Sequence, residues 1–413
     1  MKLLVLLGAG SSCAQIAARG EDSNGFPLVG ELNAEIAQWA KDFAAATDNI
    51  DYYGELLKLR SAYNETIPGM VESSVTFEQV LGDFYALLNG LREAPFGDTI
   101  LAKAAEAMGF PNDYSRYSVA QEQIENLTTM LAARFRVSSR RFESAIEKTP
   151  HAEFSGYKEL IKGLGKVFDL GIYNLNYDTV ALNAASGPFT GFDEGGRFQP
   201  DEVHARGAWN FIYHLHGSVH YSFNDAPDDR IVWKRKLDDG FNDKRQILTE
   251  GADNRVRIAS TVVAGGWKLD QLQDEPFQTF YSTFPRHAYE ADAILIGGYG
   301  FGDKHINSVL TNVLLNPRKK IPIMLLEKST INTCPKIGEI ASPRTNSSPW
   351  TRAQNTLRLE GLGRPGPMRA IHHPEFEYLD DRRRPTAIWL NGFETACSKL
   401  DTVAKWLKEG SFG

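Results

Sequence analysis

The chain has 413 residues, enough for one large domain with insertions or for two or three smaller ones. A hydrophobic content of 42%, with 11% aromatic and 23% charged residues, describes an ordinary globular protein rather than a disordered or fibrous one. A formal net charge of -7 argues against a basic surface for nucleic acid, and three scattered cysteines without a CxxC pair exclude a disulfide framework and a zinc ribbon.

Those cysteines, Cys13, Cys334 and Cys397, fit a reducing cytoplasm, and no uncharged apolar run approaches the roughly 20 residues that cross a bilayer. The amino end, MKLLVLLGAGSSC, reads either as a lipoprotein export signal or as a buried strand turning into a helix. An export signal normally carries an apolar run of about 7–15 residues. Leu3 to Leu7 supply five before Gly8 and Gly10 interrupt, and Gly10 stands where a lipobox expects an aliphatic residue. The strand reading is therefore the expectation.

Further along, residues 20–165 carry apolar positions at helical spacing, at Gly30 to Ala46, Phe77 to Leu91 and Tyr117 to Phe135. That stretch is far longer than a crossover, whose loops run about 2–6 residues, so it reads as a helical insertion after the first strand. Strands follow at Val167 to Asn174 and Phe211 to Leu215, with a weaker one at Arg257 to Val263. A helix at Pro276 to Glu290 leads into strong strands at Ala293 to Gly298 and Ile321 to Leu326. Each strong run is apolar on both faces, as strands covered by helices must be. The pattern predicts an α/β protein, a Rossmann-like open parallel sheet with a large helical insertion and a C-terminal extension. Residues 1–330 form the expected sheet domain. Residues 331–413 form the extension, a candidate interface for assembly or a partner, with a late strand at Thr386 to Leu390 and a closing helix at Gly392 to Lys408. The basic runs Arg318, Lys319, Lys320 and Arg382, Arg383, Arg384 read as solvated faces or partner contacts.

Four stretches carry chemistry. Gly8-Ala9-Gly10-Ser11-Ser12 sits where a strand hands over to a helix, which suits either a diphosphate on backbone amides or tight strand–helix packing. Asn174 to Asp178 emerge at the carboxyl end of a buried strand, where open α/β sheets bind ligands. Asp178 reads as a helix cap or a ligand contact, whereas the Asn176 amide offers donors and an acceptor and can orient a water or a ribose hydroxyl. His214, His216 and His220 alternate with apolar residues. They read as a metal cluster lacking a carboxylate, as buried structural histidines, or, for His216 just before Gly217-Ser218, as a general base. Gly297, Gly298, Tyr299, Gly300 and Gly302 precede Asp303 in a turn with an N-cap, or in a second backbone surface for the same ligand. Glu327 ends its strand where a carboxylate can grip ribose hydroxyls or cap the backbone.

In this order the motifs resemble the sirtuin superfamily. Gly8-Ala9-Gly10 is similar to its phosphate loop, Asn176-Tyr177-Asp178 to its Asn-Ile-Asp, and His216-Gly217-Ser218 to its catalytic His-Gly. Gly297 to Phe301, with Glu327 beyond, is similar to its later phosphate- and ribose-binding loops. The paired zinc cysteines of the protein deacylases are missing, and VVAGGWKLD stands where they carry Phe-Gly-Glu. The chain thus most resembles zinc-less bacterial sirtuin-like NAD glycohydrolases of anti-phage defence.

The resemblance implies catalytic roles for Asn176 and His216. It implies NAD binding by Gly8, Ala9, Gly10, Ser11, Ser12, Asp178, Gly217, Ser218, Gly297, Gly298, Tyr299 and Glu327, with NAD as substrate and no zinc. It implies a cytoplasmic homo-oligomer that hydrolyses NAD to nicotinamide and ADP-ribose and is switched on by a separate helicase-like ATPase or another defence subunit, without direct nucleic-acid or membrane binding. A sensor that binds NAD or ADP-ribose without cleaving it, and an ADP-ribosyl transferase, are the alternatives.

Overall fold

The apolar run at the amino end becomes the middle of a sheet. In the computed structural model Leu3–Leu7 are fully buried, and their strand pairs in parallel on both sides, Val5 lying opposite Ile172 on one and Leu295 on the other. Burying aliphatic side chains this completely stabilises the fold by about 1.5–3 kcal/mol each. The structure describes residues 1–17, 26, 29–66, 75–93, 114–148, 156–224, 230–238, 240–249, 255–264, 272–316, 320–328, 353, 356–357, 368–373, 376–381 and 385–410.

Along the chain the strands are β1 (Lys2–Leu7), β2 (Asp169–Asn174), β3 (Asn210–His214), β4 (Tyr221–Phe223), β5 (Ile231–Trp233) and β6 (Lys244–Thr249). They continue with β7 (Arg255–Ser260), β8 (Ala293–Gly297), β9 (Ile323–Leu326), β10 (Met368–His373), β11 (Phe376–Asp381) and β12 (Thr386–Trp389). The described helices are α1 (Ala9–Ala17), α2 (Val29–Thr47), α3 (Tyr52–Glu65), α4 (Phe77–Glu93), α5 (Tyr114–Lys148) and α6 (Tyr157–Val167). After them come α7 (Val180–Ala184), α8 (Pro200–Ala205), α9 (Phe277–Glu290), α10 (Lys304–Leu315), α11 (Phe393–Cys397) and α12 (Leu400–Glu409).

The chain divides into two units. The first, residues 1–26, 137–216 and 276–413, holds the main sheet in the order β10-β11-β12-β9-β8-β1-β2-β3. The six strands from β12 to β3 are parallel, and β10 and β11 extend the edge antiparallel. This is the expected Rossmann-like sheet with flanking helices. The chain adds strands on one side of β1 and then on the other, so a topological switch point falls between β1 and β8, where such sheets bind ligands outside their carboxyl ends.

Helix α9 is fixed by one aromatic face. Phe280 stacks on Tyr213 at 4.5 Å between ring centroids, Phe284 meets Tyr173 edge-on at 4.8 Å, and His287 lies 4.7 Å from Phe211. Spacings of four and three residues put these side chains on one stripe, against alternate residues of two neighbouring strands. At the other side of the sheet β12 lies in register beside β9, Ile388 opposite Leu325. The helices after it pack on α6: the Tyr157 and Phe393 rings are 4.9 Å apart, and a Cβ at Gly163 would sit 2.1 Å from Leu400.

The second unit, residues 27–136 and 217–275, contains α2 to α4, α5 as far as Arg136, and two antiparallel ribbons, β4–β5 and β6–β7. Buried Gln123 ties its helices together, accepting from the Tyr53 amide at 3.3 Å and donating to the Ala40 carbonyl at 3.2 Å. Buried Arg136 donates to both carboxylate oxygens of Asp243, at 2.5 and 3.2 Å, and to the Val219 carbonyl at 3.3 Å.

Several expected elements differ in extent or partner. The helix read at Tyr117 to Phe135 runs over Tyr114–Lys148, because its polar positions are compatible with helix even where the apolar stripe fades. The closing helix read from Gly392 to Lys408 is two helices, broken at Ser398 and Lys399. The strand read at Arg257 to Val263 is β7, displaced to Arg255–Ser260 and paired with β6 in its own ribbon rather than in the parallel sheet. The basic runs at 318–320 and 382–384 lie almost wholly outside the described residues; Lys320 alone is described, and it is exposed.

Candidate active site

The loops after β1, β2, β3 and β8 meet within the first unit. The loop after β1 is closed against the loop after β8. The Gly8 amide donates to the Gly297 carbonyl at 2.9 Å and the Gly10 amide to the Gly298 carbonyl at 3.0 Å, while the Ser11 amide turns back to Gly8 at 2.9 Å. Glycine is demanded here by proximity. A Cβ at Gly8 would lie 2.6 Å from the Gly298 carbonyl oxygen, and one at Gly298, whose φ is +62°, would lie 2.1 Å from the Ser11 amide nitrogen. The amides of Gly8, Gly10 and Ser11 are thus engaged by protein carbonyls, and helix α1 begins at Ala9.

Asn176 fastens the next loop to the first. Its Nδ2 donates to the Gly8 carbonyl at 3.0 Å, to Ser12 Oγ at 2.9 Å and to Ser11 Oγ at 3.3 Å. A carbonyl acceptor fixes which end of the amide faces inward. Asn176 Oδ1 is therefore turned away, and it accepts no hydrogen bond from a described residue. The Asn176 carbonyl lies 3.3 Å from His214 Nδ1, which anchors this loop to β3 as well.

Behind Asn176 is Asp178, fully buried, with Oδ1 accepting the Val180 amide at 3.0 Å. Burial pushes its pKa up to about 6, while the Ser12 hydroxyl and the backbone amides of Val180 and Asp178 hold it down. The capping reading of Asp178 is the one the contacts show. It caps α7 from the loop before it, and it accepts the hydroxyl of Ser12, whose oxygen in turn accepts from Asn176.

His216 follows β3 by the same two residues that separate Asn176 from the end of β2, and Asn174 and His214 are register partners on these neighbouring strands. The two side chains therefore leave adjacent strand tips. His216 Nε2 lies 2.9 Å from Oδ2 of Asp303, and both groups are buried. Asp303 Oδ1 accepts from the amides of His305 at 2.9 Å and Ile306 at 3.3 Å, capping α10 as expected. The histidine contact is what sequence reasoning missed. Its one signal was a carboxylate with a second oxygen to use, placed just after a strand end.

The remaining expected residues take other places. Tyr299 OH donates to Asn307 Oδ1 at 2.8 Å and accepts the Asp303 amide at 3.2 Å, so it shapes the loop around Asp303. Gly217 and Ser218 belong to the second unit, where Gly217 has φ +99°, bridges Val262 and leaves 2.1 Å between a would-be Cβ and the Thr261 carbonyl oxygen. Ser218 Oγ accepts the His220 amide at 3.3 Å. Glu327 closes β9; its amide donates to Trp389 at 2.9 Å, and burial raises its carboxyl pKa against the opposing Lys328 amide. The alternation of His214, His216 and His220 does not persist, because β3 ends at His214 and the chain turns. Among the described residues no group of three or more His, Cys, Asp or Glu side chains converges as a metal site.

Six parallel strands with polar loops at the carboxyl ends around a switch point define a Rossmann-like α/β protein. More specifically, residues 171–330 match the family model of a SIR2-like domain, which supports a sirtuin-like relationship for this part of the chain. The match takes in most of β2, then β3, His216, β8, Asp303 and β9, and covers less than half of the chain. No curated protein matches the sequence. No helix among the described residues is long and apolar enough to cross a membrane.

Proposed function

We propose that this protein is an NAD glycohydrolase, cleaving the bond between nicotinamide and ribose to release nicotinamide and ADP-ribose. The observation that carries the proposal is the Asn176 oxygen. It is an acceptor on a buried side chain that no described residue serves, held rigid by the three contacts of its own nitrogen and standing on the strand tip next to that of His216. A water or a ribose hydroxyl is the donor such an oxygen lacks.

The residues fit a dinucleotide unevenly. Asn176, Asp178 and His216 fit the reactive ribose end. At the diphosphate end the Gly8, Gly10 and Ser11 amides are engaged by carbonyls, which leaves the positive end of the α1 dipole and the Gly300 stretch, where a Cβ would meet open space. Bound NAD supplies a weak C–N bond to a pyridinium nitrogen, which leaves as neutral nicotinamide. His216 removes a proton from the attacking water, Asn176 orients that water, and Asp178 supports Asn176 through Ser12. The water oxygen bonds to the ribose carbon as nicotinamide leaves with the electrons of the broken bond. The proton on His216 then passes to solvent, so one NAD and one water give nicotinamide, ADP-ribose and one proton.

Chromatography of nicotinamide release tests this. His216→Ala and Asn176→Ala should each lose about 10²–10⁴ in rate, the usual worth of a general base or its equivalent. Near wild-type rates in both variants would overturn the assignment, and tight NAD binding without product in the wild type would make the protein a sensor. Unchecked hydrolysis would drain the NAD of its host. We therefore assign control to assembly, with further copies or with a separate ATPase-type subunit of a defence system, in a cytoplasmic setting.

A further inference from the structure

The His216–Asp303 contact carries a further step, which rests on the NAD-hydrolase reading and deepens it. We infer that Asp303 is the positioning residue of the reaction: its carboxylate accepts a hydrogen bond from Nε2–H of His216 and so leaves the basic lone pair on Nδ1.

Four observations support this assignment. First, the two side chains are 2.9 Å apart and come from positions 87 residues apart, so the contact is a product of the fold and not of local sequence. Second, the carboxylate is immobilised. Oδ1 is held by the amides of His305 and Ile306, which fixes the direction of Oδ2 towards the imidazole. Third, Tyr281 OH on α9 donates to the same Oδ2 at 3.3 Å, so that oxygen is held from a second direction. Fourth, the loop that delivers Asp303 is clamped. Phe301 holds a left-handed φ of +52°, rare for an aromatic residue, and its carbonyl accepts from Asn307 Nδ2 at 2.9 Å. The other end of the Asn307 amide takes the Tyr299 hydroxyl at 2.8 Å. Backbone strain of this kind persists only where surrounding contacts over-determine it, and here those contacts converge on Asp303.

A neutral imidazole has one N–H, so a carboxylate at Nε2 sets the tautomer. It also stabilises the imidazolium that forms when Nδ1 accepts a proton. Where an acid supports a catalytic histidine in this way, replacing it by the amide has cost about 10⁴ in kcat with the geometry intact.

The test uses Asp303→Asn in the full chain. Asparagine keeps an oxygen for the α10 amides but offers Nε2 a donor in place of an acceptor. The expected result is a nicotinamide-release kcat lower by about 10²–10⁴, a KM within about threefold of wild type, and recovery of part of the rate in Asp303→Glu. A second readout needs no NAD. Nitrogen NMR of the ligand-free protein, with His216→Gln identifying the signal, should show a proton on Nε2 of His216 in the wild type and on Nδ1 in Asp303→Asn. The His216 pKa should also fall in the variant, because a neighbouring negative charge has been removed. An unchanged tautomer and pKa would overturn the role of Asp303 whatever the activity. The expected NMR change in a wild type that releases no nicotinamide would instead overturn the hydrolase reading and leave the pair intact. If Asp303→Asn does not fold, Tyr281→Phe, which removes one donor from Oδ2 and no cap, should lower kcat by about 3–30-fold with the same tautomer; a wild-type rate there would count against the assignment.

Discussion

Two glycine-rich loops stand side by side at the tips of β1 and β8, and in the sequence they look alike. Both follow a buried apolar strand and both suit a phosphate. In the structure they differ. The first, Gly8 to Ser12, is closed: its glycines let it touch the second loop, and its serines and amides are engaged by Gly8, Asn176, Gly297 and Gly298. The second meets the first at its base, around Gly297 and Gly298, and then runs through an open Gly300 to deliver Asp303 to His216. Glycine marks where the backbone must come close to something; it does not say to what.

The comparison can be broken most sharply at Gly298. Its positive φ and the 2.1 Å gap to the Ser11 amide nitrogen leave no room for a side chain. Gly298→Ala should cost about 3 kcal/mol or more, strain and backbone displacement together. A chemical denaturation curve coincident with wild type would mean that the two loops are not held by this contact.

Next in size is the buried acid behind the first loop. Burial pushes the Asp178 carboxyl up from its ordinary value near 3.8 to about 6, so between these values the folded chain holds a proton the unfolded chain has released. Stability from this group is full below about pH 4 and is lost as pH rises to about 6, by up to about 3 kcal/mol. Asp178→Asn keeps an acceptor for Val180 and removes the titration. Its stability relative to wild type should therefore rise across that window, measured by urea unfolding at intervals of one pH unit. A difference that is flat with pH would refute the shift.

Asn176→Ala should show two separate effects, the loss of turnover described above and a destabilisation of about 1–2 kcal/mol from the partners its nitrogen abandons. Stability unchanged by this substitution would mean that Asn176 does not fasten the two loops. The smallest effect belongs to Gly300→Ala, which meets open space and should change stability by no more than about 0.5 kcal/mol. A cost like that of Gly298→Ala would erase the distinction between the closed and the open half of the second loop.

Much of the fold is legible in the amino-acid sequence. Leu3–Leu7 and Ala293–Gly297 are apolar on both faces, and only a strand covered from both sides suits them. Helical periodicity marked α2 and α4 to within a few residues. The β6–β7 ribbon was harder, because a short strand carries no mark of which sheet it joins. Within the site, Asn176 and His216 stood out as polar residues ending apolar runs. Asp303 showed only its capping role, since an N-cap is a local pattern and a contact across 87 residues is not.

Local apolar patterning and residue chemistry thus determined the strands, the helices and the list of groups able to react, because these depend on neighbours within a few residues. Strand order, the contact between the glycine loops and the pairing of His216 with Asp303 were decided by tertiary structure alone. Each brings together segments whose separation along the chain carries no energetic signature until the sheet has formed.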